Sequence, residues 1–165
     1  MLDRGDRRQR DVSDPEDQMA PKIILIAGLP GSGKTTYMET LRQEGWSIYD
    51  DFKSNAHNDS SAFWHSRNYE TLLDALRAGQ KCVVADIDFC RTDSRNEAEF
   101  ALRAQIPDLM INWLFFASDF GACHSNIRKR ASASLEDDLR ALNAYYVQYQ
   151  IPADAQVIPV WKPSA

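Results

Sequence analysis

The segment Lys22-Ile-Ile-Leu-Ile-Ala-Gly28 is a continuous apolar run that passes directly into Gly28-Leu29-Pro30-Gly31-Ser32-Gly33-Lys34-Thr35-Thr36, and helix-forming residues follow. A run with no polar alternation reads as a strand covered on both faces. The spacing G-x-x-x-x-G-K-[ST] then matches in full between a strand and a helix. Glycines let such a loop curl so that successive backbone N–H groups converge on one anion. The helix opening near Lys34 adds its positive end to the same point. Lys34 can reach the outer phosphates of a polyphosphate, and the Thr35 hydroxyl can ligate Mg²⁺. A Gly-rich turn with a chance lysine is the plainer alternative. The four fixed positions arise by accident in under about one per cent of chains this long. The loop therefore predicts a nucleoside triphosphate, ATP or GTP, with Mg²⁺, and Gly28, Pro30, Gly31, Ser32, Gly33, Lys34, Thr35 and Thr36 form the expected nucleotide cradle.

Downstream, helical and strand patterns alternate. Strands are expected at Trp46–Asp50, Lys81–Ile87, Ile111–Phe116 and Val157–Trp161. Helices are expected at Thr35–Gln43, Asn68–Ala78, Ser94–Gln105 (with Ser94-x-x-Glu97 as a capping box), Asp119–Arg130 and Ser134–Tyr149. Strands separated by helices of this length predict an α/β fold. Its expected form is a three-layer P-loop NTPase fold, with a parallel sheet of about five strands, helices on both faces and a short helical lid. Residues 53–65 read as irregular. Residues 1–21 are nearly all polar, with arginines and acids interleaved, and are expected to be a disordered leader with Met19 as an alternative start; residues 22–165 form the domain.

Ligands of an open parallel sheet sit beyond the carboxyl ends of its strands. Cys82-Val-Val-Ala-Asp86-Ile-Asp88 ends in two acids that can share a direction, so Asp86, with Asp88 beside it, is a candidate for holding Mg²⁺ through water. Asp50 and then Asp51 are candidates to accept the proton of an attacking hydroxyl, and Lys53 could neutralise an acceptor anion. A solvated turn is the competing reading for Asp51. His124-Ser-Asn-Ile-Arg128-Lys129-Arg130 could bring cations over the transferring phosphate. Arg128 and Arg130 are two apart, so only one need face the site. Arg91 and Arg95 could clamp the acceptor together. His57, His65 and His124 lack metal-ligand spacing, and Trp64, Trp113 and Trp161 read as packing.

These residues together resemble the P-loop kinases of the polynucleotide-kinase-like or zeta-toxin-like group, over about residues 22–161. Asp50-Asp51-Phe52-Lys53 is similar to that group's D-D-[aromatic]-R, whose first Asp is the general base. Val83-Val84-Ala85-Asp86 through Arg95 resembles its V-I-D-x-T/N…R segment, Cys123 through Arg130 its lid, and Tyr149-x-Ile151-Pro152 its last helix. The first lid arginine falls on Asn126, leaving Arg130 as the match and Arg128 as a substitute. The resemblance implies transfer of the γ-phosphate of Mg-ATP to a hydroxyl. The alternative is a nucleotide-binding regulator or slow NTPase.

Composition narrows the acceptor and the setting. With 19 basic against 24 acidic residues the net charge is −5. A polynucleotide wants a basic track, so a small-molecule hydroxyl is the favoured acceptor and nucleic acid the less favoured one. Three cysteines at positions 82, 90 and 123 fit neither a disulfide framework nor a zinc site, which suggests a reducing cytoplasm. No apolar run reaches the length of a membrane span. A monomer or weak homodimer is expected.

Overall fold

The computed structural model describes residues 20–52, 62–130 and 132–163. The expected leader, apart from its last two residues, and Lys53 and His57 therefore lie outside the described residues. Five parallel strands form one sheet: β1 (Lys22–Ala27), β2 (Ser47–Tyr49), β3 (Cys82–Ala85), β4 (Met110–Phe116) and β5 (Val157–Ile158), in the order β2-β3-β1-β4-β5. The helices are α1 (Lys34–Gln43), α2 (Tyr69–Arg77), α3 (Thr92–Gln105), α4 (Phe120–Arg130) and α5 (Leu135–Tyr146). The α/β layering expected from the alternation is the one observed. β1 lies in the middle; the chain first lays the edge strand β2 and then β3 between it and β1, and afterwards adds β4 and β5 on the other side. That reversal opens a crevice at the carboxyl end of β1, where the glycine-rich loop begins.

The burial of β1 explains its apolar run. Ile23, Leu25 and Ala27 point into a core shared with Leu72, Leu76, Val84, Phe89 and Leu102. Ile26 points to the other face, against Met38 and Leu41 of α1 together with Val83, Ala85, Leu114 and Phe116. A third cluster ties the loop to the last two helices through Leu29, Cys123, Ile127, Leu142 and Val160. Burying one such aliphatic side chain contributes roughly 1.5–3 kcal/mol. The loop is thus anchored on its outer side by apolar packing.

Several boundaries differ from the sequence pattern. α3 starts at Thr92, two residues before Ser94, and no side chain caps it. Glu97 is not a capping partner; its Oε1 accepts the backbone N–H of Phe63 at 2.9 Å, a contact across 34 residues. α5 ends at Tyr146, and Ser134 gives its hydroxyl to Asp138 Oδ2 at 3.2 Å instead of capping. Glu136, Asp137 and Asp138 in the first turn complement the helix dipole in place of a cap. Beyond it, the Tyr149 hydroxyl lies 2.6 Å from the Phe116 carbonyl and 3.2 Å from that of Ala27, bridging the ends of β4 and β1 just before the loop.

Candidate active site

The phosphate loop closes on itself through the Ser32 N–H, which donates to the Leu29 carbonyl at 3.1 Å. Gly31 and Gly33 adopt φ of 79° and 99°, a region that side chains disfavour, so the curl depends on glycine at both positions. The Lys34 ammonium folds back under the loop and donates to the Gly28 carbonyl (2.7 Å) and the Leu29 carbonyl (2.9 Å). Burial lowers its pKa, against the nearby acidic groups that act to raise it. The Ser32 hydroxyl is fully buried and makes no hydrogen bond.

A cavity of about 530 Å³ opens above the loop. It brings together residues 30–36 of the cradle with Asp50, Asp51 and Arg130, and adds Asn126, Asp138 and Trp161. The Thr35 hydroxyl donates to Asp50 Oδ2 at 2.7 Å. That bond joins the start of α1 to the end of β2, which β3 separates from β1 in the sheet. The other Asp50 oxygen accepts the Asp51 N–H at 2.9 Å. Asp51 sits at φ 46°, and burial followed by the charge of Asp50 pushes its carboxyl above the usual range, with Lys34 opposing.

An acid raised in this way binds more protons folded than unfolded. Stability therefore falls as pH climbs from 3.8 through the raised value. Asn tolerates positive φ and carries no charge. Asp51→Asn is expected to raise the thermal midpoint at pH 7, with the gain fading below pH 3.8. Scanning calorimetry across that range checks it, and an equal gain at both ends would exclude the charge as the cause.

The remaining candidates are placed differently. Arg130 faces the cavity and pairs with Asp138 at 3.6 Å, whereas Arg128 is exposed and does not line it. Asp86 is 2% exposed, and its Oδ1 accepts the Asp88 N–H at 2.9 Å. The Asp88 carboxylate accepts the Tyr145 hydroxyl at 2.9 Å and pairs with Arg91 at 3.2 Å, so it is engaged with α5 and the start of α3.

Arg95 corrects the expectation of an acceptor clamp. It is buried, donates to the carbonyls of Phe89 (2.7 Å) and Gln150 (2.8 Å), and lies over the Phe115 ring. Arg91 and Arg95 are therefore not a pair facing the cleft. Trp161 and Trp64 are 46% and 43% exposed, so neither is simply core packing. All three cysteines are free and buried. Burial raises the thiols of Cys90 and Cys123, beside the loop, to about 12 and about 11, which keeps both protonated at neutral pH.

The donors around Thr35 fit a magnesium ion. The Thr35 hydroxyl and the Asp50 and Asp51 carboxylates are hard oxygen donors of the kind Mg²⁺ takes alongside phosphate oxygens and water. Among the described residues no cluster of three His, Cys, Asp or Glu could hold a metal by itself.

The sequence carries little signal for Asp138 and Trp161, since each reaches the cavity only through the docking of α5 and the segment after β5. Asn126 carries more, because the resemblance puts it at a lid-arginine position and helical spacing puts it on the same face of α4 as Arg130.

The fold has close counterparts among solved structures. A gluconokinase from Sinorhizobium meliloti 1021 is 15% identical, with a TM-score of 0.58 over 88% of this chain and 86% of that one. A fungal RNA kinase is also 15% identical, with a TM-score of 0.58 over 88% and 79%. A protein of Chloroflexus aurantiacus j-10-fl is 19% identical, with a TM-score of 0.56 over 87% and 86%. No protein-family model and no curated protein matches the chain. The chain has the fold of the P-loop kinases. No helix among the described residues is long and apolar enough to cross a membrane.

Proposed function

We propose that this chain is an ATP-dependent phosphotransferase that moves the γ-phosphate of Mg-ATP to an acceptor hydroxyl. The observation that carries this reading is the 2.7 Å bond from Thr35 to Asp50, which sets a carboxylate at the mouth of the phosphate loop. Main-chain amides of residues 31–35 would cradle the phosphates, and Lys34 would leave the loop carbonyls for the phosphate oxygens. Thr35 would hold Mg²⁺ together with phosphate oxygens, Asp86 acting through water. When bound, the metal neutralises phosphate charge. Asp50 accepts the acceptor's proton and orients its oxygen, while Arg130 turns from Asp138 to the transferring phosphate and shields it from water.

A small-molecule hydroxyl suits the net charge of −5 better than a polynucleotide end, which the fungal RNA kinase keeps in view as an alternative acceptor. The test is ADP release from MgATP with and without a panel of sugars, nucleosides and 5′-hydroxyl oligonucleotides. Release stimulated by one acceptor class, with phosphate recovered on its hydroxyl, supports the kinase. Slow release that no acceptor changes supports a regulator or NTPase and removes the phosphotransferase reading.

A further inference from the structure

Asn126 is 8% exposed, and both its long-range bonds are donated by one amide nitrogen. Nδ2 donates to the Gly31 carbonyl at 2.9 Å and to the Trp161 carbonyl at 2.6 Å. From the other end of the same residue, the Trp161 N–H donates to the Ser32 carbonyl at 2.9 Å. Two consecutive peptide planes of the phosphate loop are thus held from outside, one by a side chain of α4 and one by the strand-like segment after β5.

A trans peptide directs its C=O and the following N–H to opposite sides. Holding the Gly31 carbonyl therefore keeps the Ser32 N–H on Leu29, which closes the turn. Holding the Ser32 carbonyl leaves the Gly33 N–H directed to the opposite side. A loop of glycines would otherwise sample many orientations of these planes.

We propose that Asn126 is a positioning residue: its carboxamide clamps the phosphate loop and the segment at Trp161 to α4, and so presets the amides that receive the anion. The identity of that anion rests on the function proposed above, whereas the clamp can be read without nucleotide.

The test compares the full chain with Asn126→Ala, Asn126→Leu and Asn126→Gln. Amide hydrogen exchange is followed by NMR, and sodium tripolyphosphate and MgATP are titrated calorimetrically. Ala and Leu both remove the donor, and Leu keeps the volume. Both are expected to speed exchange at the Ser32 and Trp161 amides and to weaken tripolyphosphate binding by about tenfold. Amides of β1 should hold their protection, and Gln, which keeps the donor, should restore part of both readouts. Wild-type loop exchange in both Ala and Leu variants overturns the clamp, as does wild-type behaviour of Leu alone, which would make Asn126 a space filler. Faster loop exchange in both variants of a protein whose wild type binds no polyphosphate keeps the clamp and removes the nucleotide reading.

Discussion

Replacing Asp50 by asparagine is expected to lower acceptor-dependent ADP release by about 10²–10⁴-fold, the usual contribution of a positioned general base. The substitution keeps shape and volume. An asparagine can keep both contacts if its Oδ1 accepts the Asp51 N–H and its Nδ2 donates to the Thr35 hydroxyl, so the link from α1 to the end of β2 survives. What disappears is the capacity to take a proton from the acceptor. MgATP affinity should change by less than about tenfold, since the loop amides and Lys34 supply most of the grip on phosphate. Steady-state ADP release with the best acceptor, beside calorimetric MgATP binding, separates the two effects. An unchanged rate with intact binding would strip Asp50 of its role and move attention to Asp51.

Gly31→Ala is expected to destabilise the chain by about 2–4 kcal/mol. A Cβ there would stand 2.5 Å from the Cys123 carbonyl oxygen and 2.8 Å from Ile127 Cγ1, both on α4. The φ of 79° adds the ordinary cost of left-handed backbone, about 1–2 kcal/mol. A carbonyl within a helix cannot rotate away as a side chain would, so either α4 lifts or the loop uncurls. Both outcomes break the Asn126 bond to Gly31. For a chain of this size the thermal midpoint should fall by roughly 5–15 °C, and tripolyphosphate should lose most of its stabilising effect. Gly121→Ala on the same helix serves as control, because its nearest neighbour is 3.8 Å away. If Gly31→Ala melts with wild type while the control does too, the close seat of α4 on the loop is wrong.

How far the pattern of residues reached depended on distance along the chain. β1, the curl after it and the start of α1 were legible because they obey local rules: a buried strand shows as an unbroken apolar run, and the turn shows as glycine at positive φ. Asp50 was legible for a related reason, as an acid at a strand end in a parallel sheet. Arg95 was not. It follows β3 with the spacing of a clamp, yet its partners are backbone carbonyls 6 and 55 residues away, and it is those contacts that withdraw it from the cleft. Between Arg128 and Arg130, helix phase excludes one without naming which; it was the family resemblance that favoured Arg130, the one that lines the cavity.

Local sequence was enough to specify the glycine-rich turn at the tip of the central strand, since the residues that make it lie within nine consecutive positions. Only the docking of the helices fixed which charges overlook that turn and what keeps it in shape. Arg130 faces the cavity across from Asp138, and Asn126 and Trp161 hold the loop's carbonyls from behind. The cause is the same in each case: a side chain's direction depends on how whole helices dock through apolar contacts, and those contacts join residues as far apart in the chain as Leu29 and Val160.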